Sequence, residues 1–295
     1  MKPAPFEYSR PAEIDEACAL LAADDGARLI AGGQTLVPLM AMRLARPSRL
    51  IDIARIRDLA FVRDEGAAIA IGAATRQCVV ERDPLVREKL PLLSRVMPVV
   101  GHAATRARGT IGGSLANGDP AAEIVLVAAT LGATLTWREG GRNAETAAAD
   151  FFLGPMVTCL PPAACLTAVR FPVWPERRVG TGFHEVNARQ SDFAFVSAAA
   201  QIALDDDGRC LRAALGIGAA AAIPLRFAAV EQALVGTRGE EALLRAGLVE
   251  ALAGVEMFAD LHASADYRRR AAVTLALRAI ADAWSAAVLG SGDAR

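Results

Sequence analysis

Two short segments constrain this chain most: Ala31-Gly32-Gly33-Gln34-Thr35-Leu36 and Ile111-Gly112-Gly113-Ser114-Leu115-Ala116. Each has paired glycines, a polar residue and then an apolar run of helical character. Paired glycines permit positive φ and let the backbone approach a neighbour or a ligand closely. Successive backbone N–H groups in such a loop make a concave donor site for an anion. Gln34, Thr35 and Ser114 add side-chain donors. Two loops of this kind in one α/β region suit a diphosphate, one loop on each side. A single Gly-Gly is equally the mark of an ordinary turn. Neither segment has the G-x-G-x-x-G spacing of a dinucleotide fold or the G-x-x-x-x-G-K-[ST] of a P-loop, which disfavours both.

The pattern around the loops is mixed helix and strand. Residues 11–23 form an amphipathic helical pattern, 28–31 a strand, and Thr35 caps a helix running to Met42 with Pro38 in its first turn. Residues 50–53 are a strand, so 1–57 reads as a small α/β unit. A strand over 67–72 follows, and Thr75 is placed to cap the next helix. Asp83-Pro84 opens a helical stretch to Val100. Asp119 with Pro120 opens a helix to Leu131, followed by a strand over 133–137. Residues 150–160 read as helix or loop, and 166–171 as a strand. The character changes at 172–178, which reads as a linker. Beyond it, strands over 193–204 and 209–217 are joined by the Asp205-Asp206-Asp207-Gly208 turn. The last third is helical over 225–234, 240–252 and 266–287.

Composition sets the outer limits. A chain of 295 residues suggests about two domains and a core that buries about three quarters of the unfolded surface. With 53% hydrophobic and 22% charged residues, it is not disordered. A formal net charge of −1 argues against nucleic acid or an anionic membrane as main partner. The cysteines, Cys18, Cys78, Cys159, Cys165 and Cys210, include no C-x-x-C, and the histidines, His102, His184 and His262, lie far apart. No metal site is expected, and the thiols read as buried and reduced. The N-terminal stretch lacks the apolar core of a secretory signal. The long uncharged run over 151–169 contains Gly154, Pro155, Pro161 and Pro162, so no membrane span is expected. These features fit a cytoplasmic protein.

AGGQTLVPLMAMR followed by RGTIGGSLANGDPAAE resembles the FAD-binding (medium) subunit of molybdenum hydroxylases, the xanthine dehydrogenase and carbon monoxide dehydrogenase group. LIDIARIRDL, TCLPPAACLTAVRFP, GFHEVNARQSDFA and DYRRRAAVTLALRAI extend the resemblance over nearly the whole chain. It implies an α+β architecture: a FAD-binding region over 1–175, built of two PCMH-type α/β subdomains (about 1–57 and 58–175). A C-terminal domain of CO dehydrogenase flavoprotein type, with a small antiparallel sheet and helices, would follow over 179–290.

The resemblance also implies site residues. Ala31, Gly32, Gly33, Gln34, Thr35 and Leu36 form one diphosphate loop, and Thr110, Ile111, Gly112, Gly113 and Ser114 the other. Asn117 and Glu123 contact the ribityl or flavin part, while Asp119 reads rather as the helix cap. Leu166 packs near the flavin or adenine, or is simply core. Phe193 lies against the flavin ring, or is core. His184, followed by Glu185, stands where the family often has a lysine at the flavin edge. Arg189 and Asp192 are placed to pair. Arg106 and Arg108 precede the second loop, either balancing diphosphate charge or as solvated surface. No side chain of this chain is implied to be catalytic.

Molybdopterin and [2Fe–2S] centres would sit on a large and a small partner subunit, in a heterotrimer or a dimer of heterotrimers. Electrons would pass from the clusters to FAD here and on to NAD, oxygen or another acceptor. A stand-alone FAD-dependent oxidase or dehydrogenase, and a non-catalytic assembly protein that has lost FAD, remain alternatives.

Overall fold

The structure, a computed structural model, describes residues 2–290. Its first sheet is parallel, with Arg49–Asp52 between Glu7–Ser9 and Arg28–Ile30. The helix Ile14–Ala22 covers it by burying Ala17, Cys18 and Leu21, three residues on one helical stripe. The second sheet is antiparallel. Its strands lie in the order Val62–Asp64, Ala68–Gly72, Cys165–Pro172, Thr134–Glu139, Arg142–Ala147. The third is also antiparallel and runs Arg178–Val186, Val196–Leu204, Cys210–Gly218, Leu225–Arg226.

Every residue of Val196–Leu204 is buried, because its sheet is covered on both faces. On one face lie the helices Ala228–Leu234, Glu241–Ala253 and Ala265–Leu289. The other face meets the helix Glu123–Leu131, all of whose residues are buried. That helix can come close because Gly216 and Gly218 carry no side chain. A Cβ on Gly216 would overlap the Thr130 hydroxyl, and one on Gly218 would stand 3.3 Å from Leu126.

The helix Ala265–Leu289 is held the same way. Gly180 and Gly182 face it, and a Cβ on either would overlap the carbonyl oxygen of Ala283 or Ala279. Ala272, Ala276, Ala279, Ala283 and Ala287 are fully buried along its stripe. Ser264 caps it, its hydroxyl accepting the Tyr267 N–H at 3.2 Å. The helix is long and apolar enough to cross a membrane by length and composition, but half of its apolar window is buried inside the protein.

Several local expectations are corrected. Thr75 does not cap a helix; its hydroxyl closes a loop, accepting from Phe61 N–H at 3.0 Å and donating to Phe61 O at 2.9 Å. The helix after it begins at Gln77. Asp119 does not cap the helix ending at Leu131. It accepts the Ala121 N–H at 2.9 Å in a tight turn, and the helix starts at Glu123. Residues 84–99 form three short pieces, because Pro91 and Pro98 each lack the N–H that would continue a helix. Residues 148–158 are a short helix, Ala148–Phe151, and a hairpin, Phe152–Gly154 with Val157–Thr158. The strands Arg142–Ala147 and Arg178–Val186 had no sequence expectation. Within 172–178, Trp174 is buried under the Arg212 guanidinium, 4.2 Å from its ring centre.

Cys18, Cys165 and Cys210 are buried and free, whereas Cys78 and Cys159 are half-buried. Burial pushes the Cys165 thiol up to about 12 and the Cys210 thiol to about 11. Gly182→Ala is expected to lose about 3 kcal/mol or more of stability, since helix and strand must separate to admit one methyl group. Thermal unfolding of the variant beside the wild type measures this; an unchanged melting temperature would contradict it.

Candidate functional site

The first loop leaves the strand Arg28–Ile30 and enters the helix Leu36–Ala41 through Thr35. Gly33 turns it, at φ +71. Gln34 folds back, its Nε2 donating to Gly32 O at 3.2 Å. Thr35 and Gln34 are exposed, and Thr35 makes no capping bond. The second loop leaves the helix Ala103–Arg108 and enters the helix Ile111–Asn117. Thr110 caps that helix by accepting the Gly113 N–H at 3.0 Å.

The two loops touch, backbone to backbone. A Cβ on Gly32 would lie 2.5 Å from Arg108 O and 2.8 Å from Gly109 Cα. The second loop is fixed from behind. Gly112 N–H donates to Ala73 O at 2.9 Å, and Ile111 N–H to Thr75 O at 3.1 Å. A Cβ on Gly112 would clash with Ala73. Gln77, 4% exposed, donates from Nε2 to Ser114 Oγ at 3.1 Å, while its Oε1 is buried without a partner. Gln77 went unrecognised in the sequence, where a lone amide in an apolar helix carries no signal.

Further along, Asn117 is half-buried at the end of its helix, where Gly118 takes φ +59 to stop it. Glu123 opens the next helix, 8% exposed. Burial raises its pKa from the ordinary 4.5 to about 8, opposed by its own N–H and reinforced by Glu185 and Asp119. Glu185 faces the same region from the strand Arg178–Val186. Burial raises it too, and the Asn187 amide at 3.0 Å opposes the shift. Its Oε2 is buried without a partner. Two buried acids, Glu123 and Glu185, therefore stand together here.

His184 is set apart from this group. Strand side chains alternate, and His184 shares the face of Gly180 and Gly182 that meets the long C-terminal helix. There its Nε2 lies 3.2 Å from Asp282 Oδ2. Leu166 is 4% exposed and belongs to the central apolar cluster. Phe193 is 70% exposed on the segment between two strands, so it is not core. Arg189 pairs with Asp192 at 3.1 Å. Arg106 is committed elsewhere, gripping Glu81 at 2.9 and 3.1 Å and the carbonyls of Val100 and Gly101.

This arrangement fits a flavin dinucleotide. At the second loop the N–H groups of Ile111, Gly112, Gly113 and Ser114 are taken by Thr75 O, Ala73 O, Thr110 Oγ1 and Thr110 O, so that loop offers the Ser114 hydroxyl and an uncrowded surface at Gly113, where a Cβ would meet only Thr110. Gln34 and Thr35 of the first loop stand beside it, and buried acids with unused hydrogen-bonding capacity stand at the far end.

Comparison with known proteins agrees. Residues 4–174 match the FAD binding domain in molybdopterin dehydrogenase, and residues 181–283 match the CO dehydrogenase flavoprotein C-terminal domain. The 6-hydroxypseudooxynicotine dehydrogenase complex subunit alpha of Paenarthrobacter nicotinovorans is 34% identical over 284 residues, 96% of each chain. The carbon monoxide dehydrogenase medium chain of Afipia carboxidovorans is 34% identical over 283 residues, 95% of this chain and 97% of that one. The solved carbon monoxide dehydrogenase of Hydrogenophaga pseudoflava superposes with a TM-score of 0.92 at 31% identity, covering 97% of this chain and 99% of that chain. The chain belongs to the FAD-binding medium subunits of the molybdenum hydroxylases, an oxidoreductase family.

Two substitutions probe the site. Gly32→Ala, which wedges the loops apart, is expected to weaken FAD binding about tenfold or more, roughly 1.4 kcal/mol; titration of the flavin-free protein with FAD reads this. The folded protein keeps the Glu123 proton up to about pH 8, whereas the unfolded chain loses it near 4.5. Between those values the folded state binds more protons, so stability falls as pH rises. Glu123→Gln removes that slope. Melting of flavin-free protein at about pH 5 and about pH 8 should show the variant gaining on the wild type at the higher pH.

Proposed function

We propose that this chain is the FAD-carrying electron-transfer subunit of a cytoplasmic, multi-subunit molybdenum hydroxylase. It takes electrons from [2Fe–2S] clusters on a small partner, which receive them from a molybdopterin site on a large partner, and passes them to an external acceptor. The observation that carries this reading is the seating of Gly32 against Arg108 and Gly109, which brings the two glycine loops together. FAD supplies the electron-transfer chemistry when bound.

The chain's residues bind and orient it. Ala31 to Leu36 and Thr110 to Ser114 hold the diphosphate from its two sides. Gln77 holds the Ser114 hydroxyl in place from behind. Asn117 and Glu123 face the ribityl and ring portion, Phe193 covers the ring, and Leu166 supports it from the core. Glu123 keeps a proton at its carboxyl at neutral pH, so it presents a neutral group there. In this reading residues 1–175 are the FAD-binding domain and 179–290 the C-terminal domain, and substrate choice resides in the large partner.

Expressed with its neighbouring genes, the chain is expected to co-purify with two further subunits, one FAD per copy, molybdenum and iron. Absorbance, released-flavin chromatography and metal analysis measure this. FAD with oxidase turnover by the lone chain would favour a stand-alone enzyme. A complex without flavin would leave an assembly role.

A further inference from the structure

The strand Arg178–Val186 sends two neighbouring side chains to opposite faces of its sheet. His184 goes to the C-terminal helix, where Asp282, itself paired with Arg95 at 2.9 Å, engages it. Glu185 goes to the other face with Phe183, which packs on the central apolar cluster. In register Glu185 lies opposite Ser197, and Ser197 opposite Gly218. A Cβ on Gly218 would stand 2.7 Å from Ser197 Oγ and 3.3 Å from Leu126, so this row lies under the first turn of Glu123–Leu131. Ala219 N–H donates to Pro120 O at 2.7 Å, which ties the end of the row to the turn before that helix. Glu185 therefore reaches Glu123 from the sheet below it, and the two carboxyls feel each other's charge.

Neither acid has a cation beside it. Glu123 keeps its proton up to about pH 8. The Asn187 amide, donating to Glu185 Oε1 at 3.0 Å, favours the ionised form of Glu185. The other oxygen of Glu185, Oε2, is buried and has no hydrogen-bond partner. A buried carboxylate oxygen in that state calls for a donor, and none of the described residues supplies it. A flavin carries two kinds of donor, the imide N–H of its ring and the hydroxyls of its ribityl chain.

We propose that Glu185 is a further cofactor residue: its free carboxylate oxygen accepts a hydrogen bond from the ring or ribityl part of FAD, and its charge holds the flavin's reduction potential down. The proposal rests on the reading above, in which Glu123 faces that part of the cofactor. The ring gains electrons on reduction, and a negative charge in a partly buried, weakly screened place opposes that gain. A lower potential makes the reduced flavin the stronger donor to its acceptor. His184, although it stands where the family resemblance often gives a lysine, is turned away and has no part in this.

The test is the midpoint potential of FAD in the purified complex, from a mediated redox titration followed by absorbance. The same complex stripped of flavin supplies the iron–sulfur baseline. Glu185→Gln and Glu185→Ser are each expected to move the balance about tenfold toward reduced flavin, an upward shift of about 30 mV for a two-electron couple. Glu185→Ser keeps the test open should Glu185→Gln fail to fold. Glu185→Asp, which keeps the charge on a shorter side chain, is expected to stay near the wild type. A mere packing role predicts the reverse order, with Asp more disturbing than the isosteric Gln. His184→Gln is expected to leave the potential unchanged. An unchanged potential in the uncharged Glu185 variants overturns the proposal, as does an equal shift in Glu185→Asp or in His184→Gln. A complex that carries no FAD at all overturns the electron-transfer reading instead, which separates the two failures.

Discussion

The helix Glu123–Leu131 is the member on which the rest of the structure depends. It is apolar all round and buried all round, and such a helix is stable only inside a core. One side packs in the cluster containing Leu92, Leu93, Val169 and Phe171, beneath the five-stranded sheet. The other lies on the C-terminal sheet at Gly216 and Gly218, where any side chain would push it off. Thr130 turns its hydroxyl back onto Leu126 O at 2.8 Å, so the one polar side chain in the middle of the helix costs no unpaired group. The two halves of the molecule are therefore joined by a shared core element and not by a linker alone. The first residue of that helix is Glu123, and Asp119 lies in the turn just ahead of it. Both sides of the candidate cleft are thus referred to one rigid member.

The site is built mostly from what is missing. At Gly32, Gly112, Gly216 and Gly182, an absent Cβ lets one backbone touch another segment. Backbone contacts of this kind leave few rotamers to reorganise, so the two loops are held in place before a ligand arrives. Gln77 does the remaining positioning. Its buried amide reaches Ser114 from a separate helix, and a Cβ on Gly109 would lie 2.5 Å from its unpaired oxygen.

What could be read in the sequence follows from this construction. The glycine pairs were legible because only glycine tolerates such contacts, and they led directly to the two loops. The helices with clear apolar stripes, such as Ile14–Ala22 and Ala265–Leu289, were legible for the same reason that they fold. Arg142–Ala147 was not, because it is an edge strand with a largely exposed, polar sequence and no alternation of burial. Arg178–Val186 carried no expectation, since its glycines at 180 and 182, which admit a helix, lower strand propensity. Asp119 looked like a cap because an Asp-Pro pair suits both a helix start and a tight turn; one extra turn of chain before Glu123 decides between them. The orientation of His184 away from Glu185 depends on strand register, which was not foreseen because the strand itself was not.

The charges along the cleft are sorted, and the sorting gives it a direction. At the glycine end the Arg76 guanidinium donates to Arg108 O, the carbonyl on which Gly32 packs, and the Arg108 side chain is exposed beside it, a cationic surrounding suited to phosphate oxygens. Toward the other end stand Glu123, Glu185 and Asp119, while Asp192 is paired with the exposed Arg189 and Asp260 with the buried Arg268. An elongated ligand with an anionic middle and a neutral aromatic end can lie in such a cleft in only one sense. Reversed, its phosphates would meet partly buried carboxylates, where charge is weakly screened and repulsion is strong. Glu123 avoids part of that conflict by keeping its proton. The same residues that give the helix its buried start thereby make the ring end of the cleft unattractive to anions. One distribution of charge thereby favours a single orientation for the proposed cofactor.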